Sequence, residues 1–391
     1  MASHPQNNGA NSITVKNSSQ MGQHASSTKH RPKGIPSSLS FISIGNGAQV
    51  DMDRASSSLN RPNYTWIQER QYMDAATNAY PLPIDRQELD RMDQLHYLLR
   101  AVVGTNHFTD LSVETLLQLG YRPRTSYGTS NTPHNPHDKL PEVRLPHLTC
   151  TEPFIDVLDV GCGTGVWMLE MASEHTSWNF KGFDLTCEFP MTILPMNCTF
   201  EQGNVLDVVP FPDRSFDYVH QRLLSTAIPV DDWPHVASEL FRVTRPGGRL
   251  ELVEHDCRLF QSEMMVVDGK QSSQKATMTV NQWFKQLLAL RHVDVHCTSR
   301  LGKVLEDAGW KEVKKMRVSI PTGKWNGKLS EECYVNFTAM LSGLKGPLLQ
   351  SGIIAESEEV DRLLQLLEAE VEQGKAYWNL EVYVARKPLD T

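Results

Sequence analysis

The sequence predicts an α/β protein whose central sheet is doubly wound and mostly parallel. Three observations carry that reading. Ile155-Asp156-Val157-Leu158-Asp159-Val160 is a short β-branched run of the kind that forms a strand buried on both faces. It passes straight into Gly161-Cys162-Gly163-Thr164-Gly165 and then a helix-like Val166 to Ala172. Such a strand, glycine turn and helix N-terminus aim backbone N–H groups and a positive dipole end at an anionic ligand group. Trp178 to Asp184 then reads as a second strand that ends on a carboxylate, where an open parallel sheet holds ribose hydroxyls.

Composition bounds the rest. The 391 residues are enough for one large domain with additions, and 40 % of them are apolar. Acidic residues number 46 against 38 Lys and Arg, a formal net charge of -8. A nucleic-acid binder needs a basic footprint, so none is expected here. No stretch is long and apolar enough for a membrane span, and the first thirty residues lack the apolar core of a secretory signal. The seven cysteines form no C-x-x-C pair, which points to reduced thiols rather than a disulfide framework or a zinc site. The expected setting is the cytoplasm, with the nucleus as the alternative. The cluster Lys29-His30-Arg31-Pro32-Lys33 is too thin to read as a nuclear signal.

Along the chain, residues 1–60 are expected to form a disordered tail. The first fifty contain no Asp or Glu and are rich in Ser, so they bury too little apolar surface to offset their ordering entropy. Arg31 is the only arginine before Arg54, which argues against a mitochondrial presequence. Residues 64–120 are expected to form an N-terminal helical cap. Trp66 to Ala79 is helix-permissive until Pro81 and Pro83 interrupt it. Asp85 and Glu88 then suggest a capping box, and Leu89, Met92, Leu95, Leu99 and Val102 follow at helical spacing before Gly104. A second short helix is expected from Leu111 to Leu119.

Residues 121–153 carry six prolines and read as a long loop. His134 and His137 lie in it without a third ligand at sensible spacing, so no metal site is expected. The main domain then spans 154–390. Asn197 to Gln202, Phe216 to His220 and Arg249 to Glu254 read as further strands. Asp231 or Asp232 can cap a helix with Pro234 in its first turn. Val280 to Val293 and Arg300 to Ala308 read as helices, and Glu312 to Ile320 and Trp378 to Ala385 as strands. Between these two strands, about 329–374 reads as an insertion of two helices.

The glycine spacing separates two cofactor classes. A dinucleotide fingerprint is G-x-G-x-x-G, with room for a pyrophosphate. Here the pattern is Asp159-x-Gly161-x-Gly163-x-Gly165, with an acid two residues before the first glycine. That acid would repel a pyrophosphate and suits a ligand carrying an ammonium group. S-adenosyl-L-methionine has such a group, and a ribose for Asp184. A nicotinamide-dependent oxidoreductase is the disfavoured reading.

The stretch Val157 to Gly165 resembles the first motif of the class I S-adenosylmethionine-dependent methyltransferases. Gly203-Asn204-Val205, Pro210-Phe211-Pro212-Asp213 with Ser215-Phe216-Asp217, and Arg245-Pro246-Gly247-Gly248 resemble their later motifs, in order. The resemblance covers about 154–255 and implies a seven-stranded, Rossmann-like sheet. It places Asp159, Gly161, Cys162, Gly163, Gly165, Asp184, Leu185, Asn204 and Val205 around the cofactor. The family often has Asp where this chain has Asn204, whose side-chain carbonyl can accept the same bond from the adenine amino group.

A narrower resemblance, to fungal LaeA-type (UMTA-like) methyltransferases, rests on Tyr80-Pro81-Leu82-Pro83, Glu88-x-x-Arg91, His96 and Asp217-Tyr218-Val219-His220-Gln221-Arg222. It adds Tyr80 to the cofactor site. It implies methylation of a small-molecule acceptor, at oxygen by preference, in secondary metabolism. The alternative it carries is a nuclear regulator that works through protein partners.

A hydroxyl acceptor benefits from a base. His220, at the carboxyl end of its strand, and His255, after Glu254, are the candidates for that role. His96 reads as structural. The insertion is expected to act as a lid or acceptor pocket. Met264, Met265, Trp283, Phe284, Trp325 and Met340 are the residues that could line it.

Overall fold

The computed structural model describes residues 12–13, 63–76, 78–111, 155–190, 193–262, 266–267, 270–271 and 275–389. The chain divides into a unit of residues 1–14 with 62–391 and a unit of residues 15–61, which lies outside the described residues. The elements in chain order begin with β1 (Ser12–Ile13), β2 (Tyr64–Ile67), β3 (Arg70–Met73), α1 (Arg86–Val103), β4 (Asp156–Val160) and α2 (Val166–Glu174). Next come β5 (Asn179–Asp184), β6 (Cys198–Gln202), β7 (Phe216–Arg222), α3 (Trp233–Val243) and β8 (Thr244–Gln261). A two-residue hairpin of β9 (Val266–Val267) and β10 (Lys270–Gln271) precedes α4 (Lys275–Ala289), α5 (Leu301–Asp307) and β11 (Lys311–Pro321). The chain closes with α6 (Lys328–Gly343), α7 (Lys345–Gln350), α8 (Glu358–Gln373) and β12 (Ala376–Arg386).

The main sheet has the order β1-β11-β12-β8-β7-β4-β5-β6. β8, β7, β4, β5 and β6 run parallel, and β12 runs antiparallel between β8 and β11. This is the doubly wound sheet expected from the strand–turn–helix alternation, with the seven strands that the resemblance implies and β1 added at its outer edge. β4 is flanked by β5 and by β7, so the strand order reverses at β4, and ligands of such sheets bind at the carboxyl ends beside that reversal. β4 and β7 are buried almost throughout, and they bury the polar side chains of Asp159, Asp217, His220 and Gln221 among their apolar ones. Trp167, Met168 and Met171 of α2 cover one face, and Trp233, Val236 and Leu240 of α3 lie in the cluster that holds Leu158 and Val160.

One expectation about the N-terminal part needs correction. Trp66 to Ala79 is not helical: β2 and β3 form an antiparallel hairpin, Tyr64 facing Met73 and Ile67 facing Arg70. Gln68 and Glu69 turn it at φ 49° and 63°, a geometry usually announced by Asn or Gly. What holds the hairpin is tertiary. Tyr72 Oη donates to the Gly343 carbonyl at 2.9 Å, and Arg70 pairs with Asp85. The cap is therefore a hairpin plus α1, and the helix expected over Leu111 to Leu119 lies outside the described residues beyond Leu111.

α1 itself is as expected, with one change. Asp85 Oδ1 accepts from the Glu88 N–H at 3.1 Å, and Gly104 at φ 83° closes the helix. The reciprocal half of the capping box is absent, because the Glu88 carboxylate binds Arg91 instead. The insertion holds three helices, α6, α7 and α8, rather than two.

The 121–153 loop, Met264 and Met265 lie outside the described residues, as does the tail apart from Ser12–Ile13. Those two pair with Arg317 and Val318 of β11, a contact that the sequence does not announce. Deleting residues 1–55 removes only this pairing from the described fold. The deletion is expected to leave melting temperature and cofactor affinity nearly unchanged. A large drop in melting temperature would show that the tail docks on the domain.

Candidate functional site

Each glycine of the loop after β4 sits in the left-handed region, Gly161 at φ 65°, Gly163 at 55° and Gly165 at 76°. Gly165 is the N-cap of α2, and a Cβ there would come within 2.6 Å of the Phe200 ring. A Cβ on Gly163 would meet no protein atom within 4 Å, so this glycine opens on the cleft. The loop is therefore a backbone cradle at a helix N-terminus.

Asp184, at the end of β5, faces the loop. Its Oδ2 accepts from the Gly163 N–H at 2.9 Å, and its Oδ1 accepts from the Thr186 N–H and hydroxyl at 2.9 and 3.0 Å. Burial raises its pKa above the usual carboxylate value, with these bonds opposing. Burial likewise drives the Cys162 thiol and the Tyr80 hydroxyl up, so both stay protonated.

Asp159, Gly161, Cys162, Gly163, Asp184, Leu185, Asn204, Val205 and Tyr80 all line one cleft, which encloses about 1300 Å³ with its open mouth included. Gly165 does not line the cleft, and its part is to cap α2. The Asn204 carbonyl already accepts from the Leu206 N–H at 3.1 Å, so a ligand would use its second lone pair.

His220 joins the same cleft. Its Nδ1–H donates to Asp159 Oδ1 at 2.8 Å, and its ring stacks on Trp167 with centroids 3.8 Å apart. Asp159 thereby fixes the tautomer in which Nε2 carries the lone pair. The arrangement suits a proton acceptor at Nε2. It also gives Asp159 a partner other than the cofactor's ammonium group.

His255 is placed differently. It lines a second cavity, and burial lowers its pKa to about 4, so the ring is neutral near pH 7. Such a nitrogen is a weak base and a good hydrogen-bond partner. Of the expected pocket residues, Phe284 and Met340 also line this cavity, while Trp325 donates to the carbonyls of Thr322 and Ala376 instead.

Sequence reasoning missed Arg222 as a site residue. It lines the cleft two positions after His220, hence on the same face of β7, which is the signal that could have found it. Its guanidinium donates to His96 Nδ1 at 3.0 Å and forms no ion pair among the described residues. A part-buried cation without a carboxylate partner among the described residues could hold the carboxylate of an amino-acid ligand. Leu223 follows at φ 62°, a strained position for a branched residue.

His96 passes the Arg222 contact on, its Nε2–H donating to Glu170 of α2 at 2.7 Å. Burial and the Arg222 charge lower its pKa to about 4, which agrees with the structural role expected of it. The fold therefore disfavours protonation of His96 and His255 relative to the unfolded chain. Their stability contribution is complete above about pH 6.5 and is lost as pH falls towards 4. Glu254, raised to about 7 by burial, acts with the opposite sign between 4.5 and 7. The melting temperature of a His96→Gln/His255→Gln variant should fall less between pH 6.5 and 4.5 than that of the parent. Equal slopes would remove these histidines as the source.

Residues 157–248 match the family model described as a methyltransferase domain. The chain therefore carries a methyltransferase domain, of the S-adenosylmethionine-dependent kind. It is similar to "Methyltransferase pytC" of Aspergillus terreus, 24 % identical over 378 residues, with 88 % of this chain and 97 % of that protein covered. It is also similar to "Secondary metabolism regulator laeA" of Aspergillus fumigatus, 24 % identical with 86 % and 80 % covered. Among solved structures, phosphoethanolamine N-methyltransferase 2 of Haemonchus contortus aligns with a TM-score of 0.34 and 15 % identity. That alignment covers 78 % of this methyltransferase and 60 % of the other chain.

The cleft fits the cofactor on the structure's own terms. The open face of Gly163, the part-buried Asp184 carboxylate and Arg222, which has no carboxylate partner among the described residues, suit respectively a close approach, ribose hydroxyls and an amino-acid carboxylate.

Proposed function

We propose that this methyltransferase acts on a small-molecule acceptor and methylates a hydroxyl oxygen in secondary metabolism. The observation that carries the reading is the Asp159–His220 pair, which holds an imidazole lone pair in the cofactor cleft. A hydroxyl is the acceptor that profits from such a group, whereas an amine or thiolate does not require one. The cofactor, when bound, supplies a methyl group on a positive sulfur. The protein's part is to align the acceptor, exclude water and take the acceptor's proton at His220 Nε2. Tyr80 and Glu88, Leu89 and Met92 of α1 line the cleft, which suits a small acceptor.

A second reading is a regulator of LaeA type that acts through proteins in the nucleus. Similarity over most of the chain favours it, including 25 % identity to "Protein-methionine methyltransferase laeA" of Emericella nidulans. Incubation with methyl-labelled cofactor, a panel of phenols and alcohols, and fungal lysate separates the two. Label in the organic extract supports the first reading. Label confined to precipitated protein overturns it in favour of the second.

A further inference from the structure

We propose that the second cavity is the acceptor chamber, and that it selects a neutral, mainly apolar or aromatic molecule that carries an anchoring hydroxyl besides the hydroxyl methylated beside His220. The proposal rests on the methyltransferase reading above and names the substrate class of that site.

Position comes first. The cavity shares Tyr80, Met92 and Leu223 with the cofactor cleft, so the two spaces meet across these three side chains. Leu223 holds its place in a left-handed backbone conformation, the kind of strain that packing must enforce at a functional seam. The wall opposite comes from the insertion, with Cys333, Phe337 and Met340 of α6, and from Phe284 of α4.

Chemistry comes second. Most of the lining is apolar, and its one guanidinium is matched: Arg91 binds Glu88 through two nitrogens and Asn336 Oδ1 at 2.9 Å. An anionic acceptor would therefore be buried without a free cation, and a cationic one without a free carboxylate. Two fully buried polar atoms of the lining residues are left over. His255 Nε2 and Trp378 Nε1 are both buried and lack a hydrogen-bond partner among the described residues. Their rings meet edge-on with centroids 4.6 Å apart. The indole N–H can only donate, while the neutral imidazole nitrogen can accept. A single hydroxyl satisfies both, accepting from Trp378 and donating to His255. Leaving two such groups unpaired costs free energy, and a ligand that supplies the missing atom recovers it.

The local backbone agrees. Asn379 pairs with Asp256, but Trp378 pairs with Leu259 where a regular ladder would give it Cys257. This bulge falls between the two orphaned side chains and re-aims them relative to the sheet. Bulges serve that purpose beside binding sites.

The test is calorimetric titration of the full chain, saturated with S-adenosylhomocysteine, with three probes of one shape. These are 4-ethylphenol, ethylbenzene and 4-ethylbenzoate. The phenol is expected to bind at least about ten-fold more tightly than the hydrocarbon, with no measurable binding of the anion. His255→Phe should bring the phenol down to the level of the hydrocarbon, and Met340→Trp should abolish binding of both by filling the chamber. S-adenosylhomocysteine affinity in each variant reports that the fold is intact, and in the parent it tests the cofactor reading separately. Equal affinity for phenol and hydrocarbon would overturn the polar anchor. Preferred binding of the anion, or phenol binding that survives Met340→Trp in a chain that still takes S-adenosylhomocysteine, would overturn the chamber. So would absence of phenol binding in a chain that takes S-adenosylhomocysteine.

Discussion

His220→Ala is expected to lower turnover of a hydroxyl acceptor by roughly 10²–10⁴-fold, the range for a lost general base. The imidazole is not replaceable by its neighbours. His255 sits in the adjoining cavity with its pKa lowered to about 4, and the His96 lone pair is taken by Arg222. Cofactor affinity should stay nearly intact, because the cradle is built from the glycine loop and Asp184 rather than from His220. The variant should recover part of its rate at high pH, where a hydroxyl acceptor ionises by itself. Turnover like that of the parent would remove His220 from the mechanism and leave positioning alone, or His255, to account for it. A loss of rate with no recovery at high pH would instead point to a positioning role through Trp167.

Asp184→Ala is expected to weaken S-adenosylmethionine binding by roughly 10–150-fold, the equivalent of about 1.5–3 kcal/mol for a charge-assisted hydrogen bond. The structure gives reason to expect the upper end. The same carboxylate anchors the Gly163 N–H and the Thr186 N–H and hydroxyl, so its removal frees the loop as well as the ribose. Calorimetric titration with S-adenosylmethionine, with NAD as the control ligand, measures it. An unchanged dissociation constant would show that another residue takes the ribose hydroxyls, and NAD binding in the parent would overturn the cofactor assignment.

Much of the cofactor side was legible in the chain. Strand, glycine turn and helix lie within about twenty residues, and each is set by a local demand. β-branched residues favour extended backbone, and three glycines meet the positive φ values that other residues adopt at a cost. Asp184 was legible because it ends the next strand of the same unit. The hairpin at Tyr64 to Met73 was not, because Gln68 and Glu69 carry none of the usual turn chemistry and the contact that holds Tyr72 comes from Gly343.

What the sequence determined by itself, then, is the doubly wound sheet and the placing of Asp184 and the glycine loop at its carboxyl ends. These follow from backbone preferences and from the period of apolar residues, both of which act over short stretches of chain. The tertiary structure decided the rest of the site. Arg222 meets His96 across 126 residues, His96 meets Glu170 across 74, and Arg91 meets Asn336 across 245. Which charges are matched, and which polar atoms are left unpaired, depends on what folding brings alongside them, because the dielectric cost of burial is set by surroundings rather than by residue type. Asp159 shows the difference most directly. Its spacing from the glycines marked it as an acid of the cofactor site, and only packing against β7 made it the residue that orients His220.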